Sequence, residues 1–95
     1  MKMEMKKDVY ITKDIFLASY LMTCRIKMVD FFCKNGVYWF VFENKDRCKY
    51  LATQYWNGEG EVSVREFVNA YRNLKEIIYN HNSTIDFLEK KGSGI

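Results

Sequence analysis

The sequence predicts a small α+β domain, in which a mostly antiparallel sheet built on a central hairpin packs against three helices. Three observations lead to this fold class. An Asn35-Gly36 pair lies between two runs rich in aromatic and β-branched residues, which is the strongest short-range signal for a hairpin. Helix-forming patterns with capping residues precede and follow this hairpin. The chain has 95 residues, enough for a single hydrophobic core and not for two.

The composition favours an ordered protein of the cell interior. Hydrophobic residues make up 48% of the chain and aromatic residues 17%, which is typical of a globular domain. The formal charge of +3 is far below the clustered charge of a dedicated nucleic-acid-binding protein. No apolar run approaches the roughly 20 residues that span a bilayer. Because three cysteines are an odd number and no signal peptide is evident, we expect free thiols and a cytoplasmic location.

The expected order of elements is β-α-β-β-α-(β)-α. Residues 1–8 are expected to be a disordered start, residues 9–80 the single domain, and residues 81–95 a short helix or a loose tail. Residues 9–11 predict a short strand, and Thr12 is expected to cap a helix that follows it to about Cys24. This first helix is apolar nearly all round, so we expect it between the sheet and a further helix, or in a subunit interface.

The hairpin turn fixes which residues face each other across its two strands. A two-residue type I′ turn needs positive φ at both positions, and Asn-Gly meets this need at low cost. Counting outward gives an apolar core face with the pairs Cys33–Tyr38, Phe31–Phe40 and Val29–Phe42. The outer face then has the pairs Lys34–Val37, Phe32–Trp39, Asp30–Val41 and Met28–Glu43.

The second helix is expected to begin at Asn44 or Asp46 and to run to about Asn57. Gly58 is suited to the left-handed conformation that ends a helix. One stripe at helical spacing should face the core, and it consists of Cys48, Leu51, Ala52 and Tyr55.

The third helix has the clearest start signal, a capping box formed by Ser63 and Glu66. Val62, just before it, is expected to add a short strand. Residues 80–82 break the helical pattern, so His81 is expected to be a C-terminal cap. The predicted core-facing side of this helix consists of Val64, Phe67, Val68, Tyr71, Leu74 and Ile78.

The outer face of the hairpin is the main functional candidate. It has more large apolar side chains than a solvated sheet face should have, so another part of the chain, a second copy or a ligand should cover it. The residues expected to bind a partner there are Phe32, Val37, Trp39 and Val41.

A nucleic-acid reading of the same face is the alternative. The element order is that of a ferredoxin-like sandwich, the topology of the RNA-recognition motif, and residues 36–42 loosely resemble the longer of that motif's two signatures. Single-stranded RNA or DNA could stack on an aromatic sheet face. The residues expected to contact it are Tyr10, Arg25, Lys27, Lys34 and Trp39.

No sequence pattern supports catalysis. There is no glycine-rich phosphate loop, Cys-x-x-Cys pair or nucleophile elbow, and the cysteine spacing matches no zinc site. Asp30 and Glu43 share the outer face, but no histidine or serine joins them, so solubilising charges explain them better than acid/base chemistry. We therefore expect no enzyme, no metal, no cofactor and no small-molecule substrate.

Several spaced segments resemble a small family known only as a domain of unknown function, whose members are short proteins of bacteria, archaea, phages and other mobile elements. Ser19 stands where a second alanine is usual in this family, and Arg25 where a glycine often follows the first helix. The segments cover most of residues 10–79 in the family's order, and they are Thr12–Leu21, Phe40–Glu43, Tyr55–Gly58 and Phe67–Lys75.

This resemblance implies a small cytoplasmic accessory protein, of phage or mobile-element origin, with no catalytic residues to transfer. Together with the outer face, it leads us to expect a non-enzymatic interaction module. Such a module would bind a host macromolecule by protein contacts, or associate with itself, and would modulate or inhibit a nucleic-acid-handling or defence machine. We expect no membrane partner.

Overall fold

The computed structural model describes the backbone of residues 8–93 and the side chains of residues 8–82. The predicted α+β class and the order of its main elements are confirmed. Of the predicted disordered start at residues 1–8, all but Asp8 lies outside the described residues. The elements are β1 (Val9–Thr12), α1 (Ile15–Thr23), β2 (Met28–Lys34), β3 (Val37–Glu43), α2 (Lys45–Trp56) and α3 (Val64–Ser93).

The sheet has the strand order β1-β3-β2, and β3 pairs antiparallel with both neighbours. This is the arrangement of the first three strands in a ferredoxin-like sheet, in which a helix connects the two parallel outer strands. The short strand predicted at Val62 does not form, and residues 59–63 are irregular. Val62 instead packs against the core, and the next residue, Ser63, already caps α3. The segment therefore has too few extended residues to form a strand.

The hairpin turn has the predicted geometry. Asn35 has φ 53° and Gly36 has φ 80°, the positive values that a type I′ turn requires. Five cross-strand pairs were predicted correctly, and they are Lys34–Val37, Cys33–Tyr38, Phe32–Trp39, Phe31–Phe40 and Asp30–Val41.

Beyond Asp30 the predicted register is wrong, because β2 contains a bulge. Met28, not Val29, lies opposite Phe42, so the predicted pairs of Val29 with Phe42 and of Met28 with Glu43 do not occur. A bulge inserts one extra residue into one strand, which moves the following side chains to the other face. Met28 consequently packs against the core and Val29 is exposed.

The cap of α1 is Asp14, not the predicted Thr12. The Asp14 carboxylate accepts hydrogen bonds from the backbone N–H groups of Phe16 (3.0 Å) and Leu17 (3.2 Å). Thr12 acts one step earlier, because its hydroxyl accepts from the Asp14 backbone N–H at 3.1 Å. A carboxylate is the stronger acceptor and also favours the positive end of the helix dipole, which explains the later start.

All three helices contribute to one core on a single side of the sheet. Helix α1 lies at its centre and is buried from Leu17 to Leu21, as its all-round apolar pattern predicted. Its hydroxyls Ser19 and Thr23 are satisfied within the helix, by the carbonyl groups of Ile15 and Ser19. The largest fully buried side chains are Phe40, Phe42, Leu17, Leu21, Leu74 and Cys48.

Helix α2 begins and ends as predicted. Asn44 has φ 64° and its side chain accepts a hydrogen bond from the Arg47 backbone N–H at 3.4 Å. Gly58 has φ 75°, the left-handed conformation expected after the last turn. Of the predicted core stripe, Tyr55 is half-buried and three residues are buried, namely Cys48, Leu51 and Ala52.

Helix α3 starts as predicted but continues far past its predicted end. The Ser63 hydroxyl accepts from the Glu66 backbone N–H at 3.3 Å, which is the expected cap. The helix then runs through residues 80–82, so His81 lies within it and is not a terminal cap. None of these residues is glycine or proline, the residues that break helices strongly. Val64 is 78% exposed and Val68 36%, and neither belongs to the core cluster, so the predicted core-facing side of this helix is wrong at these two positions.

Candidate functional site

The two sides of the sheet differ because all three helices pack on one of them. Side chains alternate along a strand, so Phe40 and Phe42 point to the helices while their neighbours point away. No residue of this second side belongs to the core cluster among the described side chains. We call its apolar part around Trp39 the open face, and it consists of Ile11, Phe32, Val37, Trp39 and Val41.

The open face presents a stripe of apolar surface. Ile11 is 47% exposed, Val37 40% and Phe32 39%, whereas Val41, flanked by both outer strands, is 8% exposed. Of the four residues predicted to bind a partner, Phe32, Val37 and Trp39 therefore share one continuous surface, and Val41 lies buried between them and β1. Ile11 was not singled out from the sequence, because the face that it takes depends on the pairing of β1 with β3.

Two aromatic rings form the centre of the open face. The rings of Phe32 and Trp39 are stacked, with centroids 6.4 Å apart and planes inclined by 11°. The Nζ of Lys13 lies 5.6 Å from the centroid of the Trp39 ring. A contact of this kind stabilises an exposed site by about 0.5–1 kcal/mol. Lys13 lies in the connection between β1 and α1, and no sequence pattern predicted its contact with Trp39.

Charged side chains flank the apolar stripe with opposite signs at its two ends. Lys34 lies opposite Val37 near the hairpin turn, while Asp30 lies opposite Val41 toward the other end. Glu43, one pair further along, lies opposite Val9. The face is therefore basic near the turn and acidic at the far end of the hairpin.

Tyr10, a predicted nucleic-acid contact, lies on the other side of the sheet. It is opposite Phe42 and packs against the core. Burial raises the pKa of its phenol above the ordinary value, and negative charge on Cys48 and Asp14 raises it further. A base could not stack on this ring without displacing the helices.

The other predicted nucleic-acid contacts are also scattered. Arg25 follows α1 and forms an exposed ion pair with Glu66 at 3.5 Å. Lys27 precedes β2, at the acidic end of the face. Of the five residues proposed for this role, only Lys34 and Trp39 lie on the outer side of the sheet together.

A cleft of about 460 Å³ adjoins the open face where the start of β3 meets α3. Lys13 and Val37 line it, so it is continuous with the face. Lys75 also lines it, and the Nζ of this residue lies 5.7 Å from the centroid of the Tyr71 ring. Its lining residues include two lysines and no carboxylate, which makes the cleft a basic extension of the face.

The three cysteines have different environments. Cys33 is exposed, Cys24 is half-buried, and Cys48 is buried with its thiol donating to the Glu43 carbonyl oxygen at 3.4 Å. Burial, aided by the Glu43 charge, raises the pKa of the Cys48 thiol to about 11. Among residues with described side chains, no group of histidine, cysteine and acidic residues could hold a metal ion.

The described helices include none with the length and apolar character needed to cross a membrane. No curated protein and no solved structure matches the chain. One family model does match, over residues 7–80, and its description is Domain of unknown function (DUF5659). This range spans the whole sheet, α1, α2 and the first part of α3. The resemblance seen in the sequence is confirmed, and the chain belongs to this family of unknown function.

Proposed function

We propose that the protein is a small non-enzymatic interaction module that contacts another protein through its open face. The observation that supports this most is the exposure of Ile11, Phe32 and Val37 around a stacked aromatic pair. Contiguous apolar surface of this kind marks interaction sites on soluble proteins. Aromatic side chains at the centre of such a surface are the usual anchors of binding energy.

The charges around the face favour a protein over a nucleic acid. Asp30 and Glu43 lie on the same side of the sheet as Trp39, and carboxylates there would repel phosphates. A protein partner can instead complement both signs of charge along the stripe.

The family resemblance suggests the setting of this activity. An accessory protein of a phage or mobile element has reason to bind host machines that handle nucleic acids or defend the cell. We propose that the module modulates or inhibits such a machine in the cytoplasm by occupying a protein surface on it. No step of this role requires chemistry by the module itself.

Site-specific photo-crosslinking tests the proposal. A photo-reactive phenylalanine analogue in place of Phe32 should form covalent adducts with protein in cells, because this ring lies within the contact surface. The same analogue in place of Tyr50, which is exposed on α2, is the matched control. Equal adducts from both positions, or none from Phe32, would contradict the proposal.

Single-strand binding is the second candidate, and one observation favours it. Lys13 lies over the Trp39 ring and Lys34 lies near the same end of the face, so cations adjoin a stacking platform. Stacking on such a ring is worth about 1–3 kcal/mol per base. This candidate requires retention of a labelled single strand that weakens with salt and is lost in Trp39→Ala. No retention at low salt excludes it.

A further inference from the structure

We infer that the open face binds the open face of a second copy of this chain, with the two sheets face to face and their strands antiparallel. The inference rests on the proposed function, since the second copy uses the same surface and competes there with any other protein partner. Its basis is the distribution of charge along β2.

Three outward-pointing residues of β2 are evenly spaced around one aromatic ring. Phe32 lies in the middle, with Asp30 two residues before it and Lys34 two residues after it. The bulge lies beyond Asp30, so this segment is regular. Each charge is therefore about 6.7 Å from Phe32 along the strand. The two charges have opposite signs and equal separation from the centre.

A two-fold axis through the row of Phe32 and Trp39 uses this symmetry. The axis lies midway between the two sheets and is perpendicular to the strands. Each strand of one copy then lies over the same strand of the other copy, and the two run in opposite directions. Lys34 of one copy then faces Asp30 of the other, and the second such pair follows by symmetry. An interface of this kind must be self-complementary, and the sequence of β2 meets that condition.

The apolar residues of β3 fit the same axis. Trp39 faces Trp39 of the second copy, and Val37 faces Val41, because these valines are equally far from Trp39 on the strand. Two sheet faces that pack in this way form a sandwich about 10 Å apart, with strands within about 30° of each other. The row of apolar residues becomes the centre, Asp30 and Lys34 form its rim, and Lys13 of each copy lies beside Trp39 at the β1 edge.

The size of the face predicts a weak dimer. Three strands about 4.8 Å apart and a central strand of about 23 Å give a footprint of about 14 by 23 Å. The area buried by such a footprint is smaller than the roughly 800 Å² per partner of a standard interface. We therefore expect a monomer–dimer equilibrium in the micromolar range or above, with both helical layers facing outward.

Sedimentation velocity from about 10 μM to about 1 mM tests the inference. The native chain should shift from monomer to dimer across this range. Lys34→Asp places like charges opposite each other at two symmetric positions, so the dissociation constant should rise about tenfold. Asp30→Lys should do the same. Lys49→Asp makes the same charge change on the exposed surface of α2 and should leave the equilibrium unchanged.

Mixing the two single variants gives the sharpest result. A heterodimer of Lys34→Asp with Asp30→Lys has opposite charges at both positions, so the mixture should dimerise more tightly than either variant alone. The double variant Asp30→Lys/Lys34→Asp should also recover the native constant. Far-ultraviolet circular dichroism of each variant confirms that these exposed substitutions leave the fold intact.

A native chain that stays monomeric up to the highest concentration overturns the inference. So does a mixture that dimerises no better than the single variants. If crosslinking from Phe32 then still captures another protein, the proposed function stands and only the second copy is excluded. Absence of both dimer and Phe32-specific adducts overturns the two together.

Discussion

At the scale of single residues, the backbone at Arg25 is under strain. Its φ of 71° lies in the left-handed region, where a Cβ atom is unfavourable. The Arg25 side chain forms an exposed ion pair with Glu66, and such pairs are worth at most about 1 kcal/mol. Glycine, which has no Cβ atom, adopts this conformation without strain.

Arg25→Gly should therefore stabilise the protein. Relief of the left-handed strain outweighs both the lost surface ion pair and the greater freedom of glycine when unfolded, by about 0.5–1 kcal/mol. Urea denaturation of the two proteins measures the difference. Arg25→Ala loses the ion pair but keeps the Cβ atom, so it should not stabilise. Equal stabilisation by both substitutions would show that strain is not the cause.

The thiols of Cys33 and Cys48 should react very differently. Cys33 is exposed, whereas Cys48 is buried with its pKa raised to about 11. Alkylation at pH 8, followed by mass spectrometry, should modify Cys33 rapidly and Cys48 only after denaturation.

The raised pKa of the Cys48 thiol means that the folded state holds this proton more tightly than the unfolded state does. This contribution to stability is full below pH 9 and should fall as the pH rises toward 11.

At the scale of elements, a contact between β3 and α3 explains why the last helix continues. The Tyr38 hydroxyl donates to Oδ1 of Asn82 at 2.7 Å and lies 2.6 Å from Nδ1 of His81. A hydroxyl has a single proton, and Tyr38 donates it to Asn82. Nδ1 of His81 is therefore the donor to the Tyr38 oxygen. The imidazole also meets the rings of Tyr38 and Phe31 edge to face.

Tyr38→Phe should loosen this junction while keeping the ring. Two hydrogen bonds are lost, each worth about 0.5–1.5 kcal/mol, so we expect a loss of about 1–2 kcal/mol in the free energy of unfolding. Hydrogen exchange should become faster in α3 around residues 79–82. Tyr79→Phe serves as the control, because it removes an exposed hydroxyl on α3 about one turn before Asn82. Unchanged exchange in the Tyr38 variant would contradict the role of this contact.

The sequence predicted the hairpin turn and the start of α3 well, because local chemistry decides both. The Asn35-Gly36 turn and the Ser63 cap depend on short-range geometry, so both were predicted correctly. The bulge at Val29 and the extension of α3 past His81 depend on contacts between distant segments, and sequence periodicity does not report these. For this reason the register and the helix end were wrong.

At the scale of the whole molecule, stability depends on a core in which Leu74 joins α3 to α1 and the sheet. Leu74 is fully buried, so Leu74→Ala should cost about 2–5 kcal/mol in the free energy of unfolding. Val64→Ala, on the exposed first turn of the same helix, should change it by less than about 0.5 kcal/mol. Urea denaturation of both variants measures the contrast. Similar losses would show that the first turn packs in solution.

The candidate site was predictable in part from strand alternation. Phe32, Val37 and Trp39 were placed on one surface because a hairpin turn fixes side-chain direction. Tyr10 was grouped with them wrongly, since the register of β1 against β3 depends on a long-range pairing. Lys13 was missed because it reaches Trp39 from a loop, where no periodic pattern exists.

The bulge at Val29 also bears on how the protein avoids aggregation. Both β1 and β2 are edges of the sheet, and an edge strand can template pairing with other chains into fibrils. β1 has only four residues, which makes it a short edge. In β2, the extra residue interrupts the row of unpaired backbone groups along that edge. Deleting Val29 would leave a regular, aromatic-rich edge, and thioflavin fluorescence should then report faster fibril growth. We therefore expect the bulge, which also misleads register counting, to protect the hairpin against amyloid formation.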